Sequence, residues 1–394
     1  MSNGIEPKHL PKATGPFVPG MIDVSTDYGE EGLLMRLYYP TNEKKNDPKQ
    51  WMTWLPENSY LRGLANVTAI PYYFLRSAIW WYENLTLTGH YYIPSLYGKK
   101  IRTDDKLKCI IISHGLGSCR FLYSAVCYDL ASYGYLVICL EHKDRSACFT
   151  YYYATKEDAQ KDKKTEIHFK HVPLGKNHYT ERNQQIKIKA NECSKAIDFV
   201  LQLNKGTAPA NVLDEVVTKY TIDFDLKDLT GKIDVDSLTI MGHSFGAATA
   251  IYTAALRSEI KQCIAMDPWM FPIKDENLHE KVKQPILFVN TYTFHLEANV
   301  KSMAKFLTID RKDEMYTILN STHETQTDTV FILGYWLNWF MRKIDPTIGL
   351  RINNYIILEF LNRHTLFPKN VEEQKAYLDK EKHNYMSGLT KPWA

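Results

Sequence analysis

A serine framed by two glycines is the first feature of this sequence that could do chemistry. The segment GHSFGAAT covers residues 242–249 and follows the apolar run SLTIM. A Gly-x-Ser-x-Gly turn between a strand and a helix strains the backbone at the serine and exposes its hydroxyl. Gly242 and Gly246 lack a Cβ, so strand and helix can approach closely there. The pattern predicts that Ser244 is a nucleophile.

A serine hydroxyl is a weak nucleophile until a base accepts its proton, and imidazole suits that role at neutral pH. His323 lies in the polar loop STHE, between the strand-like EMYTILN and a helical pattern that starts near Asp328. In α/β-hydrolases the catalytic residues follow the chain order serine, acid, histidine, so the base is expected in the loop after the last strand. We therefore predict His323 as the base. The other histidines downstream of Ser244 are His279, His295, His364 and His383.

Two residues compete for the role of the acid that holds the imidazole tautomer and stabilises the imidazolium. Asp267 ends the strand-like run KQCIAMD and enters the loop PWMFP. The commoner position lies one strand later, after QPILFVN, where Glu297 is the acid close by. The residues alone leave both open.

An acyl-transfer site also needs N–H donors for the oxyanion of the tetrahedral intermediate. One comes from the residue after the nucleophile, here Phe245, and the other from the loop after the third strand. That loop is HGLG, in which the flanking glycines leave the amide of Leu116 as the predicted second donor. His114 in this loop is expected to hold the loop by hydrogen bonds and not to act as a base.

Strands and helices that would position these residues alternate from residue 107 onward. Short runs rich in Ile and Val alternate with helical patterns, and the strands are apolar on both faces, which favours a mostly parallel sheet covered by helices. Catalytic groups collect at the carboxyl ends of such strands. We predict an α/β fold of the α/β-hydrolase type, as a single domain over residues 1–394. An irregular N-terminal region (about 1–105) and an insertion (about 143–180) are expected within it.

The composition and the sequence signals limit the kinds of partner and the cellular compartment that we expect for this protein. The net charge of +3 provides no field that would recruit nucleic acid. No secretory signal is visible, position 2 is not the glycine that N-myristoylation requires, and the apolar run Val330–Phe340 is too short to span a membrane. The seven cysteines form no CxxC pair, which favours a reducing compartment. We expect a cytoplasmic protein with no metal and no cofactor.

Four motifs in this order resemble one family. SHGLGSCRFLYSA, EHKDRSACFTYY, MGHSFGAATAIYTA and AMDPWMFP are similar to motifs of the platelet-activating factor acetylhydrolases, in particular the intracellular type II enzyme and its plasma homologue. The resemblance implies an α/β-hydrolase with Ser244, Asp267 and His323 as its triad, and it favours Asp267 over Glu297. It also implies oxyanion donors at Leu116 and Phe245. Two positions depart from the family: Ser2 replaces the myristoylated glycine, and Pro268 replaces an alanine.

The activity that the resemblance implies is calcium-independent hydrolysis of the sn-2 ester of phospholipids with an acetyl, short or oxidised acyl group. Phospholipid would be the substrate, met at the surface of a membrane or lipid particle. The segment 69–85 is dense in aromatic residues, which favour a membrane interface. Its candidate contacts are Tyr72, Tyr73, Phe74, Trp80 and Trp81. A second candidate is the helical pattern at 353–367.

Two other functions remain compatible with these residues. A broader carboxylesterase or lipase would use the same serine turn, because the turn does not read the acyl group. A catalytically inactive lipid-binding protein would be expected to lack the serine or its base, and this sequence has both. A panel of substrates with different sn-2 acyl lengths, assayed with a chelator present, distinguishes the acetylhydrolase from the broader esterase or lipase.

Overall fold

One large sheet organises the protein, whose computed structural model describes residues 6–77, 90–308, 310, 312–335 and 342–389. Eleven of the strands in these residues form this sheet, and the other two form a separate hairpin. The strands are β1 Pro19–Ser25, β2 Leu34–Pro40, β3 Trp51–Thr53, β4 Tyr92–Tyr97, β5 Leu107–Ser113, β6 Tyr135–Glu141, β7 Phe149–Tyr152, β8 Thr165–His168, β9 Ile233–His243, β10 Ile260–Met266, β11 Ile286–Thr291, β12 Glu314–Ile318 and β13 Tyr385–Ser387.

The centre of the sheet is parallel. Its order is β13-β12-β11-β10-β9-β5-β6-β2-β1-β4-β3, and the six strands from β12 to β6 pair in parallel with one another. The strands β2 and β13 pair antiparallel at either side of this centre. The carboxyl ends of β5, β9, β10, β11 and β12 therefore share one edge of the sheet. The predicted mostly parallel sheet is confirmed.

Helices cover both faces of the sheet. They are α1 Asn58–Thr68, α2 Ser124–Ser132, α3 Lys156–Gln160, α4 His178–Lys205, α5 Phe245–Leu256, α6 Leu278–Lys281, α7 Glu297–Ala304, α8 Thr329–Leu333, α9 Pro346–Thr365 and α10 Glu372–Lys380. Residues 72–77 are also helical.

Alternate residues of each central strand enter different cores. In β5, Ile110 and Ile112 belong to a buried cluster that includes residues of α2 and α9. Cys109 and Ile111 of the same strand belong to a second cluster with residues of α4 and α5. Successive side chains of a strand point to opposite faces, and here both faces are covered. This explains why these strands are apolar without alternation.

The N-terminal hundred residues are more regular than expected. Strands β1 to β4 extend the sheet beyond β6, with β1 and β2 paired antiparallel over their full length. The sequence pattern did not indicate these strands, and prolines lie beside β3 (Pro48) and within β4 (Pro94). The insertion at about 143–180 carries α3 and the hairpin β7–β8.

The helical patterns near the C-terminus also end up differently from the prediction. Within the described residues, the pattern that starts near Asp328 gives α8, which is followed by Gly334 with a φ of 67°; the part of the pattern at 336–341 lies outside the described residues. The segment 353–367 belongs to α9, whose apolar residues from Tyr355 to Leu361 are buried in the core. The proposal that this segment docks on lipid was therefore wrong, since its periodicity describes contact with the sheet. Among the described residues, no helix is both long and apolar enough to cross a bilayer.

Candidate active site

Ser244 occupies a strained turn at the edge of the sheet. It lies between β9 and α5 with φ 57° and ψ −118°, a region that residues with a side chain rarely adopt. Its N–H donates to the carbonyl of Met266 at 2.9 Å, and its carbonyl accepts from the N–H of Trp269 at 3.1 Å. Both partners flank Asp267, so the turn is tied by its backbone to the end of the neighbouring strand.

The two glycines of the motif are required by close contacts. A Cβ at Gly242 would lie 2.1 Å from the carbonyl oxygen of Gly246. A Cβ at Gly246 would lie 2.0 Å from the carbonyl oxygen of Ser113 and 2.6 Å from that of His114. The helix α5 thus starts in direct contact with both its own strand and the HGLG loop. No side chain fits in either place.

Asp267 and His323 meet although 56 residues separate them in the chain. The Nδ1 of His323 donates to the Oδ2 of Asp267 at 2.9 Å. Asp267 is fully buried directly after β10, with φ 44°, whereas the side chain of His323 remains 28% exposed at the start of a 3₁₀ turn, His323–Gln326. The hydrogen bond at Nδ1 leaves Nε2 as the ring atom available to a neighbouring hydroxyl. Pro268 does not prevent this contact.

Thr291 completes the environment of Asp267. It is the last residue of β11, and its N–H donates to the Oδ1 of Asp267 at 2.6 Å. Its hydroxyl donates to the Oδ2. These hydrogen bonds hold both carboxylate oxygens in place. The sequence analysis did not identify Thr291. Its position at the end of the strand that follows Asp267 was the one indication that it could contact this carboxylate.

Aromatic groups fix the plane of the His323 ring. Phe294 stacks on it with ring centroids 4.1 Å apart, and His243 packs at 4.4 Å. The Nδ1 of His243 is hydrogen-bonded to the hydroxyl of Tyr123 at 3.0 Å. Burial lowers the pKa of His243 well below its usual value, and the nearby His323 lowers it further. A neutral His243, the residue before Ser244, therefore packs against the His323 ring, and sequence reasoning missed it.

Three side chains here could also hold a metal ion. The donor atoms of His243, Asp267 and His323 lie within 4.8 Å of one another. No such cluster was expected from the sequence, because its members come from three separate segments of the chain. In the structure, the Nδ1 of His323 and the Oδ2 of Asp267 bind each other, and the Nδ1 of His243 binds Tyr123.

The alternative acid and bases lie elsewhere. Glu297 is the first residue of α7, where it pairs with Lys301 on the surface. His279 pairs with Glu280 and packs against Phe306. Among the candidates considered, the structure brings Asp267 and His323 together. The remaining histidines are His295, which is buried before α7, His364 in α9 and His383 after α10.

The HGLG loop lies against the nucleophile turn. A Cβ placed on Gly115 would lie 3.4 Å from the Cβ of Ser244. The N–H of Gly115 donates to the hydroxyl of Tyr123 at 3.0 Å, and that of Gly117 donates to the carbonyl of Ser146 at 2.7 Å. The amides on both sides of Leu116 are therefore held. Phe245 begins α5, where an N–H has no partner within the helix.

A buried carboxylate connects the His323 turn to the helix that follows the HGLG loop. Asp328 accepts hydrogen bonds from the backbone N–H groups of Ser124 and Ala125 at 3.0 and 2.9 Å, at the start of α2. It also accepts from the indole of Trp54 at 3.0 Å. Burial raises the pKa of Asp328 to about 7, although these donors act in the opposite direction. The segment that follows the His323 turn is thereby joined to the start of α2.

The aromatic segment proposed for lipid contact is described only in part. Tyr73 and Phe74 are 78% and 70% exposed, while Tyr72 is half-buried and packs against Tyr73. Trp80 and Trp81 lie outside the described residues. Two adjacent aromatic side chains that face solvent are unusual, and they are the exposed part of this segment on which an interfacial role can be argued.

The fold is that of the α/β-hydrolases. A solved structure described as a ferulic acid esterase from Streptomyces cinnamoneus superimposes with a TM-score of 0.62 over 96% of this chain and 99% of its own. The sequences are 13% identical, so this similarity concerns the fold alone.

The chain belongs to the platelet-activating factor acetylhydrolase family, isoform II. The profile of that family matches residues 3–385. Platelet-activating factor acetylhydrolase of Bos taurus is 32% identical, with 96% of this chain and 82% of the bovine protein covered. The protein of the same name from Canis lupus familiaris is 30% identical, with 98% and 83% covered. The resemblance seen in the four motifs is confirmed.

Proposed function

We propose that this protein is a serine hydrolase that cleaves the sn-2 ester of platelet-activating factor and of phospholipids with short or oxidised acyl groups. The observation that carries the proposal is the hydrogen bond between Asp267 and His323 beside the strained Ser244, in a chain of this family. The products would be a lyso-phospholipid and a small carboxylic acid.

The proposed mechanism assigns one role to each group. The Oγ of Ser244 attacks the ester carbonyl carbon while the Nε2 of His323 takes its proton, and Asp267 stabilises the imidazolium. The N–H groups of Leu116 and Phe245 bind the oxyanion of the tetrahedral intermediate. His323 then protonates the leaving alkoxide, which departs as lyso-phospholipid and leaves the acyl group on Ser244. Water activated by His323 hydrolyses this acyl-enzyme.

We propose that the reaction needs neither calcium nor another metal. Calcium prefers oxygen ligands, whereas His243, Asp267 and His323 offer two imidazoles and one carboxylate, a set better suited to zinc. The Nδ1 atoms of His243 and His323 and the Oδ2 of Asp267 already form hydrogen bonds that orient these side chains. The charge that develops on the substrate oxygen is met by backbone amides.

A panel of phosphatidylcholines with sn-2 chains from acetyl to palmitoyl tests this proposal. We expect turnover to fall steeply with unmodified chain length, and to be the same in EDTA as in its absence. Equal turnover across the panel would favour a broader esterase or lipase. Activity lost in EDTA and restored by calcium or zinc would contradict the metal-free mechanism.

We further propose that the exposed aromatic side chains of Tyr73 and Phe74 dock the protein reversibly on lipid. Full burial of a large apolar side chain contributes roughly 1.5–3 kcal/mol, and an interface provides part of this. Tyr73 and Phe74 are exposed in the described structure, so their insertion would not disturb the core. Attachment by aromatic rings would depend little on salt, because salt screens charges.

The double variant Tyr73→Ser, Phe74→Ser is expected to sediment less with phosphatidylcholine vesicles. Hydrolysis of a soluble acetate ester and the melting temperature should be unchanged, because neither side chain is buried. Val217→Ser is the matched control, since Val217 is also exposed but lies far along the chain, just after a 3₁₀ turn. Unchanged sedimentation of the double variant, or an equal loss in the control, would contradict the docking role.

The remaining assignments are also proposals. We propose one catalytic domain over the whole chain and a reducing, cytoplasmic compartment. All seven cysteines are free and buried, which is compatible with such a compartment.

A further inference from the structure

A buried lysine lies behind the HGLG loop and the start of α5. Lys189 is in the middle of α4 and is fully buried. Lysine is almost never fully buried unless its ammonium is paired or hydrogen-bonded, because removing the charge from water is costly. The sequence pattern of α4 does not account for it, since a leucine would cover the sheet equally well. Its position therefore calls for a specific role.

The ammonium of Lys189 touches both segments that carry the proposed oxyanion donors. Its Nζ donates to the carbonyl of His114 at 2.7 Å, two residues before Leu116. The same atom lies 5.0 Å from the centre of the Phe245 ring, within the range of a cation–π contact. The carbonyl of His114 is also the one that lies against Gly246. One cation thus spans the contact between the HGLG loop and the nucleophile turn.

The hydrogen-bond acceptors recorded for this ammonium are uncharged. Besides the His114 carbonyl, it donates to the hydroxyl of Ser146 at 3.4 Å, which in turn donates to Asp144 at 2.7 Å. Burial lowers the pKa of Lys189, while Asp144 and Glu192 act in the opposite direction. Burial also raises the pKa of Asp144 to about 6 and that of Glu192 to about 7.

The two imidazoles in this pocket are neutral. Burial and the charge of Lys189 hold the pKa values of His114 and His142 well below the usual range. The ring of His142 bridges Glu192 and Ser113 at 2.6 and 2.8 Å, and its backbone N–H donates to the Nε2 of His114 at 3.1 Å. The two imidazoles therefore add no positive charge beside the ammonium of Lys189.

We propose that Lys189 is a positioning residue for the oxyanion hole, whose ammonium holds the HGLG loop against α5 and provides a fixed positive charge behind both donors. This inference rests on the proposed function. A preorganised charge in a site of low dielectric stabilises developing negative charge more than water does. Because that charge develops in the tetrahedral intermediate, Lys189 affects turnover more than binding of the ground state.

The test compares Lys189→Met, Lys189→Gln and Lys189→Arg on a soluble acetate ester. We expect Lys189→Met to lower kcat by about 10- to 100-fold, less than the roughly 10²–10³-fold cost of losing a direct donor. KM should change little. The inhibition constant of a trifluoromethyl ketone, which forms a tetrahedral oxyanion on the serine, should rise by the factor by which kcat/KM falls. Arginine, which keeps the charge, should restore more turnover than glutamine, which keeps only a donor.

Lys143→Met is the matched control. Lys143 is also buried, and its ammonium donates to the backbone carbonyls of Glu30 and Gly32, away from the HGLG loop. Its loss should lower the melting temperature and leave kcat nearly unchanged. If kcat falls equally in both methionine variants, the effect is general destabilisation and the inference is wrong.

Further results would also test the proposed role of Lys189. Unchanged kcat in folded Lys189→Met, or an inhibition constant that does not follow kcat/KM, would overturn the role in the oxyanion hole. Equal rescue by glutamine would overturn the role of the charge. If Lys189→Arg does not fold, the comparison of glutamine with methionine still tests positioning by hydrogen bonds. Activity that persists in Ser244→Ala would instead refute the proposed function itself.

Discussion

Ser244→Ala is expected to lower kcat by roughly 10⁶-fold, because removal of the nucleophile leaves only binding and the oxyanion donors. The hydrogen bonds recorded for residue 244 are made by its backbone, to Met266 and from Ala247, Ala248 and Trp269, so the fold should persist. A fluorophosphonate probe should label the unmodified protein and not the variant. Turnover is measured with a soluble acetate ester, so that lipid docking does not affect the result.

The matched control is Ser237→Ala. Ser237 lies on the same strand as the nucleophile turn, but toward the opposite end of β9. This variant should be labelled and active. A Ser244→Ala protein that is still labelled and active would show that another residue is the nucleophile.

Asp267→Asn is expected to lower kcat by about 10⁴-fold. The carboxylate accepts from the Nδ1–H of His323 and from two groups of Thr291. An asparagine would turn its NH₂ group toward one of these donors, which disturbs the imidazole tautomer and removes the charge that stabilises the imidazolium. The backbone should tolerate the change, because asparagine adopts a positive φ more readily than most residues, and residue 267 has φ 44°.

Glu297→Gln is the control for this experiment. Glu297 lies at the surface with Lys301, so its charge should matter little for turnover. Circular dichroism and the melting temperature separate a loss of chemistry from a loss of fold. A larger effect of Glu297→Gln than of Asp267→Asn would place the acid after β11 and contradict the contact between Asp267 and His323.

The sequence was sufficient to predict those features in which close atomic contacts or burial restrict the residue types. The glycines around Ser244 are needed because their hydrogens face backbone oxygens at distances that no Cβ could occupy. The apolar strands follow from burial on both faces, and His323 follows from the loop after the last parallel strand. Each of these features leaves a local pattern of residue types in the sequence, although the contacts behind it, such as those of Gly246 with Ser113 and His114, can come from distant segments.

Helical periodicity was less informative at 353–367. A repeat of apolar residues at helical spacing describes one face of a helix, without stating what covers it. In α9 that face is buried against the sheet, where Ile356 and Phe360 belong to the core. Lipid and protein interior select the same residue types, so the choice between them depended on the packing of the whole chain.

The sequence by itself predicted the parallel sheet, the strained serine and the histidine that contacts Asp267. The tertiary structure placed Asp267, and not Glu297, against His323, because β10 lies beside β9 in the sheet whereas α7 places Glu297 at the surface. It also decided that Thr291 binds Asp267 and that Lys189 reaches the carbonyl of His114, 75 positions away. Such contacts join strands and helices that are distant in the chain, and only the closing of the sheet brings their side chains within hydrogen-bonding range.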